Sequence, residues 1–457
     1  MKRLIFAVMA IMIMAAPVAN AQRVNKEALL AKLEKADADS KNEKKATKAA
    51  TWIARGKAYY EAASAPVKDI FPGMEMSIAE ISIGKASSVK EGVKLAGQAY
   101  TEMTYPWFKL YVAGGKIAGW TLTQSVKDVD LAAVALESFN KAYSLDEKQG
   151  KVVMDGLQKL HSFYSQNGNA SMEIGNYAVA ADNFLAAYTV QESPAYSAEK
   201  DAAFLYYAGY LYVVAASETK DKSFFPKGVD ALNKALAAGY NDEAGDIYYY
   251  LYHGYFGQED SSVRQANLER AKQVLMEGLA KYPENINIIN GLINVYSSGS
   301  VGNISDLTAM VDAALQRDPK SRDLWYGRGQ IFYNLKNYDE SIASFKKVVE
   351  LDPKDAQSMF YIGFFYITKA DAMNDEINKR DYKSNDEWKA DQAKVTATYM
   401  ESVPYLEKSL EIRPNDYTTV ETLKVLTFRL RDEDGMMAKY EKYNKLYEEL
   451  KAKQPQQ

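Results

Sequence analysis

The sequence predicts an all-α protein: a solenoid of antiparallel helix pairs, with a small β-hairpin-containing insertion near the N-terminus. Three observations predict it. Large aromatic and small residues recur at four-and-three spacing in several separate stretches, as on one face of a helix. Prolines mark a repeat: Pro283 and Pro319 are 36 residues apart, Pro319 and Pro353 are 34 apart, and Pro414 follows 61 later, one repeat plus an inserted segment. Only the stretch 107–122 switches to strand-like residues, flanking the pair Gly114-Gly115.

The clearest unit runs from Asp323 to Asp355. Trp325, Gly329 and Phe332 line one face of a first helix, and Ile342, Phe345, Val348 and Val349 form the apolar stripe of a second. Glycine inside a helix costs about 1 kcal/mol relative to alanine, so Gly329 is expected where a neighbouring helix leaves no room for a side chain. Asn337-Tyr338-Asp339 supplies the turn, and Pro353, which has no N–H to donate, ends the unit. This stretch resembles a tetratricopeptide repeat (TPR): Trp325, Gly329, Phe332, Phe345 and Pro353 fit its pattern, while Ser341 and Val348 stand where that family usually has alanine. The resemblance implies a right-handed TPR-like superhelical solenoid that acts as an adaptor or scaffold.

Taken in order, the chain opens with Lys2 and Arg3, an apolar run from Leu4 to Ala16, and the small-residue site Ala19-Asn20-Ala21. Residues 1–21 are therefore expected to be a cleaved signal peptide, leaving a chain that starts at Gln22. That run is shorter than the roughly 20 residues a membrane span needs, and no other stretch is long or apolar enough. Residues 22–50 read as a lysine-rich helical lead-in. Trp52, Gly56 and Tyr59 then repeat the first-helix spacing, but their second-helix partners Ala135, Phe139 and Ala142 lie far downstream. The first pair, 51–145, thus carries an insertion at about 64–127 with the hairpin at 107–122, in a register that sets Val112 opposite Ile117 and Lys109 opposite Trp120. Divergent helix pairs fill 146–320, over 151–190, 200–239, 246–282 and 286–318. A C-terminal array at 321–451 contains a charged helical extension, 368–398, and a tail closes the chain at 452–457.

Composition narrows the function. Cysteine is absent, which excludes disulfides, thiol catalysis, cysteine–zinc sites and a lipidated N-terminal cysteine. Loss of Lys2 and Arg3 takes the net charge from −4 to −6, a mild acidity that gives no case for nucleic acid or anionic membrane as a partner. The two histidines, His161 and His253, have no metal or nucleophile motif around them. Pairs such as Asp242-Glu243 sit in expected turns, where acids cap helices. Ser298-Gly299-Ser300-Val301-Gly302 lacks the lysine of a phosphate loop.

The expectation is a non-catalytic scaffold without cofactor or metal, exported to the periplasm or beyond, that binds protein or peptide segments. Its oligomeric state is not read from the sequence. In TPR solenoids the second, fifth, ninth and twelfth positions of each first helix line the concave groove. Counted from Pro283 these include Asn287, Asn290 and Asn294; from Pro319, Tyr326, Gln330 and Tyr333; and from Pro353, Phe360 and Phe364. Asparagine offers both donor and acceptor, so Asn290 and Asn294 are expected to clamp a peptide backbone whose side chains settle on the rings. The alternative is a glycan-binding protein of the outer-membrane sugar-uptake type, since some such proteins build their scaffold from the same helix pairs and use aromatic platforms; the 34 tyrosines suit groove walls packed at the base and wet at the tip.

Overall fold

A computed structural model describes residues 24–258, 262–298 and 302–452. The expected signal peptide and the tail from Lys453 lie outside them. The described residues form nineteen α-helices and one four-stranded antiparallel sheet. The chain divides into two compact units between Tyr240 and Asn241, within the 146–320 segment that the sequence treats as one run of helix pairs.

In the first unit, α1 (Lys26–Lys41) starts at Asn25, whose side chain accepts the Ala28 N–H. Its lysines face water, yet Leu29 and Leu33 are buried and the helix packs on α3 (Ala49–Ser64), so the lead-in belongs to the core. Between them lies the short α2 (Glu43–Ala46). The partner of α3 is α5 (Leu131–Leu145): a Cβ on Gly56 would stand 2.8 Å from the Phe139 ring. The residues between hold α4 (Met76–Ile83) and the sheet, in the order β1 (Ser88–Leu95), β2 (Gln98–Thr104), β3 (Phe108–Ala113) and β4 (Lys116–Leu122).

The expected hairpin is β3–β4. Gly114 and Gly115 turn it with φ of 56° and 77°, both left-handed, as a type I′ connection demands. Val112 does face Ile117, but Lys109 pairs with Thr121 and Leu110 with Trp120, because an irregularity after Tyr111 shifts the register by one residue. Leu110 and Trp120 thereby enter the core together. Neither β1 nor β2 was read from the sequence. Nearly all of β1 is exposed, so its residues carry little apolar alternation.

The C-terminal part of α6 (Gly150–Glu173) receives β4 directly. A Cβ on Gly119 would lie 2.1 Å from the Ala170 carbonyl oxygen, and Trp120 Nε1 donates to Asn167 Oδ1 at 2.8 Å. Further along the unit, α6 pairs with α7 (Tyr177–Gln191) through Gly168 against Phe184, and α8 (Ala203–Thr219) pairs with α9 (Phe224–Ala237) through Gly209 against Leu232.

The second unit begins with α10 (Asp246–Phe256) and α11 (Arg264–Lys281), followed by α12 (Ile286–Ser297) and α13 (Ser305–Arg317). Then come α14 (Arg322–Asn334), α15 (Tyr338–Leu351), α16 (Ala356–Lys379), α17 (Asn385–Ile412), α18 (Tyr417–Arg429) and α19 (Met436–Ala452). Consecutive helices pack as pairs at α10–α11, α14–α15, α16–α17 and α18–α19. By contrast, α12 packs mainly on α10, α11 and α14, and α13 on α14. Residues 368–398 fall in α16, α17 and the turn between them. Buried Ala370, Ile377 and Val395 give those charged helices an apolar seam, and Arg429 of α18 reaches Asp371 at 2.6 Å. Among the described residues no helix is long and apolar enough to cross a membrane.

Candidate binding face on the first helices

Four first helices of the second unit begin in the same way. The side chains of Asn285, Ser321, Asp355 and Asp416 accept backbone N–H groups of the first turn, satisfying donors that the helix cannot. These caps fix a common phase. Five and nine residues beyond each cap lie Asn290 and Asn294 on α12, Tyr326 and Gln330 on α14, Phe360 and Phe364 on α16, and Glu421 and Val425 on α18.

Contacts between the helices place these stripes on one side. Gly327 of α14 meets α12 at Ile289, where a Cβ would stand 2.9 Å from the isoleucine side chain. With about 100° per residue and parallel first helices, Asn290 and Asn294 on one side of that contact, and Tyr326 and Gln330 on the other, turn toward the same face. The next junction joins Tyr326 to Tyr361 (ring centroids 6.1 Å apart) and Tyr333 to Phe365 (4.5 Å, stacked). Phe360 and Phe364 lie beside it, their own rings stacked at 6.0 Å.

The eight residues singled out by the sequence therefore fall into two groups. Tyr326, Tyr333, Phe360 and Phe364 are half-buried: Tyr326 meets Phe345 edge-on at 5.1 Å, and Tyr333 lies 6.4 Å from Phe364. Tyr326 and Tyr333 thus brace successive repeats, and all four rings remain partly open to solvent. Asn287 and Asn294 are exposed, Asn290 and Gln330 half-exposed. The side chains of Asn287 and Asn290 make no hydrogen bond among the described residues, and Asn294 Nδ2 lies 3.5 Å from the Tyr252 hydroxyl.

That last contact leads to residues missed in the sequence. Tyr252 of α10 is buried against α12, where a Cβ on Gly291 would stand 3.3 Å from its ring. Tyr249, His253 and Phe256 surround it on α10, with Tyr249 and His253 4.4 Å apart edge to face and Phe256 5.3 Å from Tyr252. By the same rotation they turn to the side that Asn290 and Asn294 occupy on α12. No proline stands where counting would start for α10, and its beginning is shaped instead by Asp242, whose carboxylate accepts the N–H groups of Ala244, Asp246 and Ile247. The aromatic run from Tyr248 to Tyr255 was the available signal.

Charge on the face is sparse. Neither α10 nor α12 contains lysine or arginine. Arg322 of α14 is held by Asp323 and Asp355, and Arg328 by Asp312 and Glu340. Burial lowers the pKa of His253, which favours the neutral imidazole. Burial and neighbouring Tyr361 raise the Tyr326 hydroxyl well above its ordinary value, keeping it a donor. Among the described residues no three His, Cys, Asp or Glu side chains stand together in a way that could hold a metal ion.

Residues 323–355 match the family described as Tetratricopeptide repeat, covering α14, its turn and α15. No curated protein matches the chain. Among solved structures the chain is similar to TTC0263, a thermophilic TPR protein in Thermus thermophilus, at 18% identity over 45% of this chain and 98% of that one, with a TM-score of 0.30. It is also similar to the MamA RS-1 ArsTM double mutant, at 14% identity over 46% and 96% with a TM-score of 0.29. A third likeness is to an IFIT1 monomeric mutant with Gppp-AAAA, at 10% identity over 70% of each chain with a TM-score of 0.33. Superpositions this loose assign neither ligand nor role.

Proposed function

We propose that this protein is a non-catalytic, exported scaffold of the cell envelope whose second unit binds a peptide segment of a partner protein on the shared face of its first helices. The observation that supports this reading most is the continuity of that face: carboxamides on α12 stand beside tyrosines and Gln330 on α14 and phenylalanines on α16, in a common phase set by the helix caps. The side chains of Asn287 and Asn290, which make no hydrogen bond among the described residues, can donate to and accept from a peptide backbone, and half-buried rings offer rigid apolar contact. Export is supported by the order of Lys2, Arg3, the apolar run and Ala19-Asn20-Ala21.

Glycan binding is the second reading. It is favoured by the abundance of tyrosine and disfavoured by the way Tyr333 stacks its ring on Phe365 and Tyr326 packs edge-on against Phe345. Affinity capture from envelope extract, run beside a glycan array, separates the two. The expected result is a protein partner retained by wild type and weakened by Asn290→Ala with Asn294→Ala by about 1–3 kcal/mol for the lost hydrogen bonds. Sugar binding with no protein partner would overturn it.

A further inference from the structure

We infer that the face selects an uncharged internal peptide segment, and that the selecting element is a cradle formed by α10 and α12 together; this rests on the peptide-binding reading above. The cradle joins Tyr249 and His253 of α10 to Asn290 and Asn294 of α12 across the Tyr252–Asn294 contact. Its chemistry is neutral throughout. Neither helix carries a lysine or arginine, and the one acid on them, Asp246, sits in the first turn of α10, where Asn285 Nδ2 approaches its carboxylate at 3.3 Å. The nearest cations on the following first helix, Arg322 and Arg328, are committed to carboxylates. A ligand carboxylate, from an acidic side chain or a chain terminus, would lose its water here and gain no counter-charge, which is costly. A ligand ammonium would meet the same lack of a partner at the cradle itself.

What the cradle does offer is hydrogen bonding without charge. Asn290 contributes donor and acceptor atoms that no described residue uses, and the His253 ring nitrogens make no hydrogen bond among the described residues. Spacing favours a peptide backbone. Asn290 and Asn294 are four residues apart on a helix, about 6 Å along its axis, close to the roughly 6.6–6.8 Å over which an extended chain repeats its side chains and amides on one side. A strand laid along α12 can therefore bond alternate residues to successive asparagines. Rings at Tyr249 and Phe256 flank it on one side and Tyr326 on the other.

The test uses the full mature chain and libraries of random peptides displayed in two forms: acetylated and amidated at their ends, or with a free C-terminal carboxylate. Wild type should enrich sequences poor in Asp, Glu, Lys and Arg at the contacted positions, with no preference for the free carboxylate. The enriched peptide, titrated by fluorescence anisotropy, should lose affinity on the order of tenfold or more with Asn290→Ala plus Asn294→Ala, and less with His253→Gln, which keeps a neutral hydrogen-bonding group. Thermal melts confirm that each variant folds. Enrichment of acidic or free-carboxylate peptides, or full affinity in the double asparagine variant, overturns this inference and leaves peptide binding standing. Enrichment of no peptide by a folded wild-type chain overturns both.

Discussion

At Gly329 the consequence of a side chain can be read from one distance: a Cβ there would stand 2.4 Å from the Phe345 ring, which is itself wholly buried. Gly329→Leu should overpack the α14–α15 pair and destabilise the second unit by about 1–3 kcal/mol, seen as a lower melting temperature; an unchanged melt would contradict the packing. A second residue of this kind is Asp37 in the first unit. Its carboxylate accepts from Lys127, Tyr59 and Arg55 at 2.8–3.0 Å. Partial burial acts to raise its pKa, but these three donors outweigh it and the net shift is downward. A depressed carboxylate stabilises the fold fully above its unfolded value, about 3.9, and the contribution is lost as pH falls through the lower folded value. Asp37→Asn should therefore cost about 1–2 kcal/mol at neutral pH, and the gap from wild type should close in acid. A gap that widens in acid would show that the network does not depend on the charge.

Among the elements, the sheet depends most on a single close approach. Because the atom facing Gly119 is the backbone oxygen of Ala170 rather than a movable side chain, Gly119→Ala forces β4 away from α6. The Trp120–Asn167 hydrogen bond should break with it, lowering stability by about 1–3 kcal/mol; indole fluorescence from Trp120 would shift to the red. If stability and spectrum both hold, the sheet is not seated as described. The sequence revealed the β3–β4 half of this module, because a two-glycine turn between apolar strands is a local signal. It could not reveal β1, whose exposed residues need no alternation, nor the irregularity after Tyr111, which answers to the demand that Leu110 and Trp120 share a core. Helix pairing was legible for the same reason as the hairpin. Glycines at 56, 168, 209 and 329 each lie against a large side chain of the second helix, so the spacing of small and large residues encodes the contact. The face was legible only where a proline fixed the count, so the sequence showed α10 as a helix but not which of its residues share that face.

At the scale of the whole molecule, the chain is an array of TPR-like helix pairs with an α+β insertion, divided into two compact units. Helix pairs of this kind bury their apolar stripes against neighbours and leave one face of each first helix over. In the second unit that face, from α12 to α16, carries carboxamides and partly exposed rings and little charge, and a partner bound there is the central expectation. The most direct measurement is site-specific photo-crosslinking with a benzophenone side chain placed at Gln330, on the face, and at Lys347, on the exposed side of α15. A partner protein should crosslink from Gln330 and none from Lys347. A partner captured equally well through Lys347, or only there, would contradict that expectation.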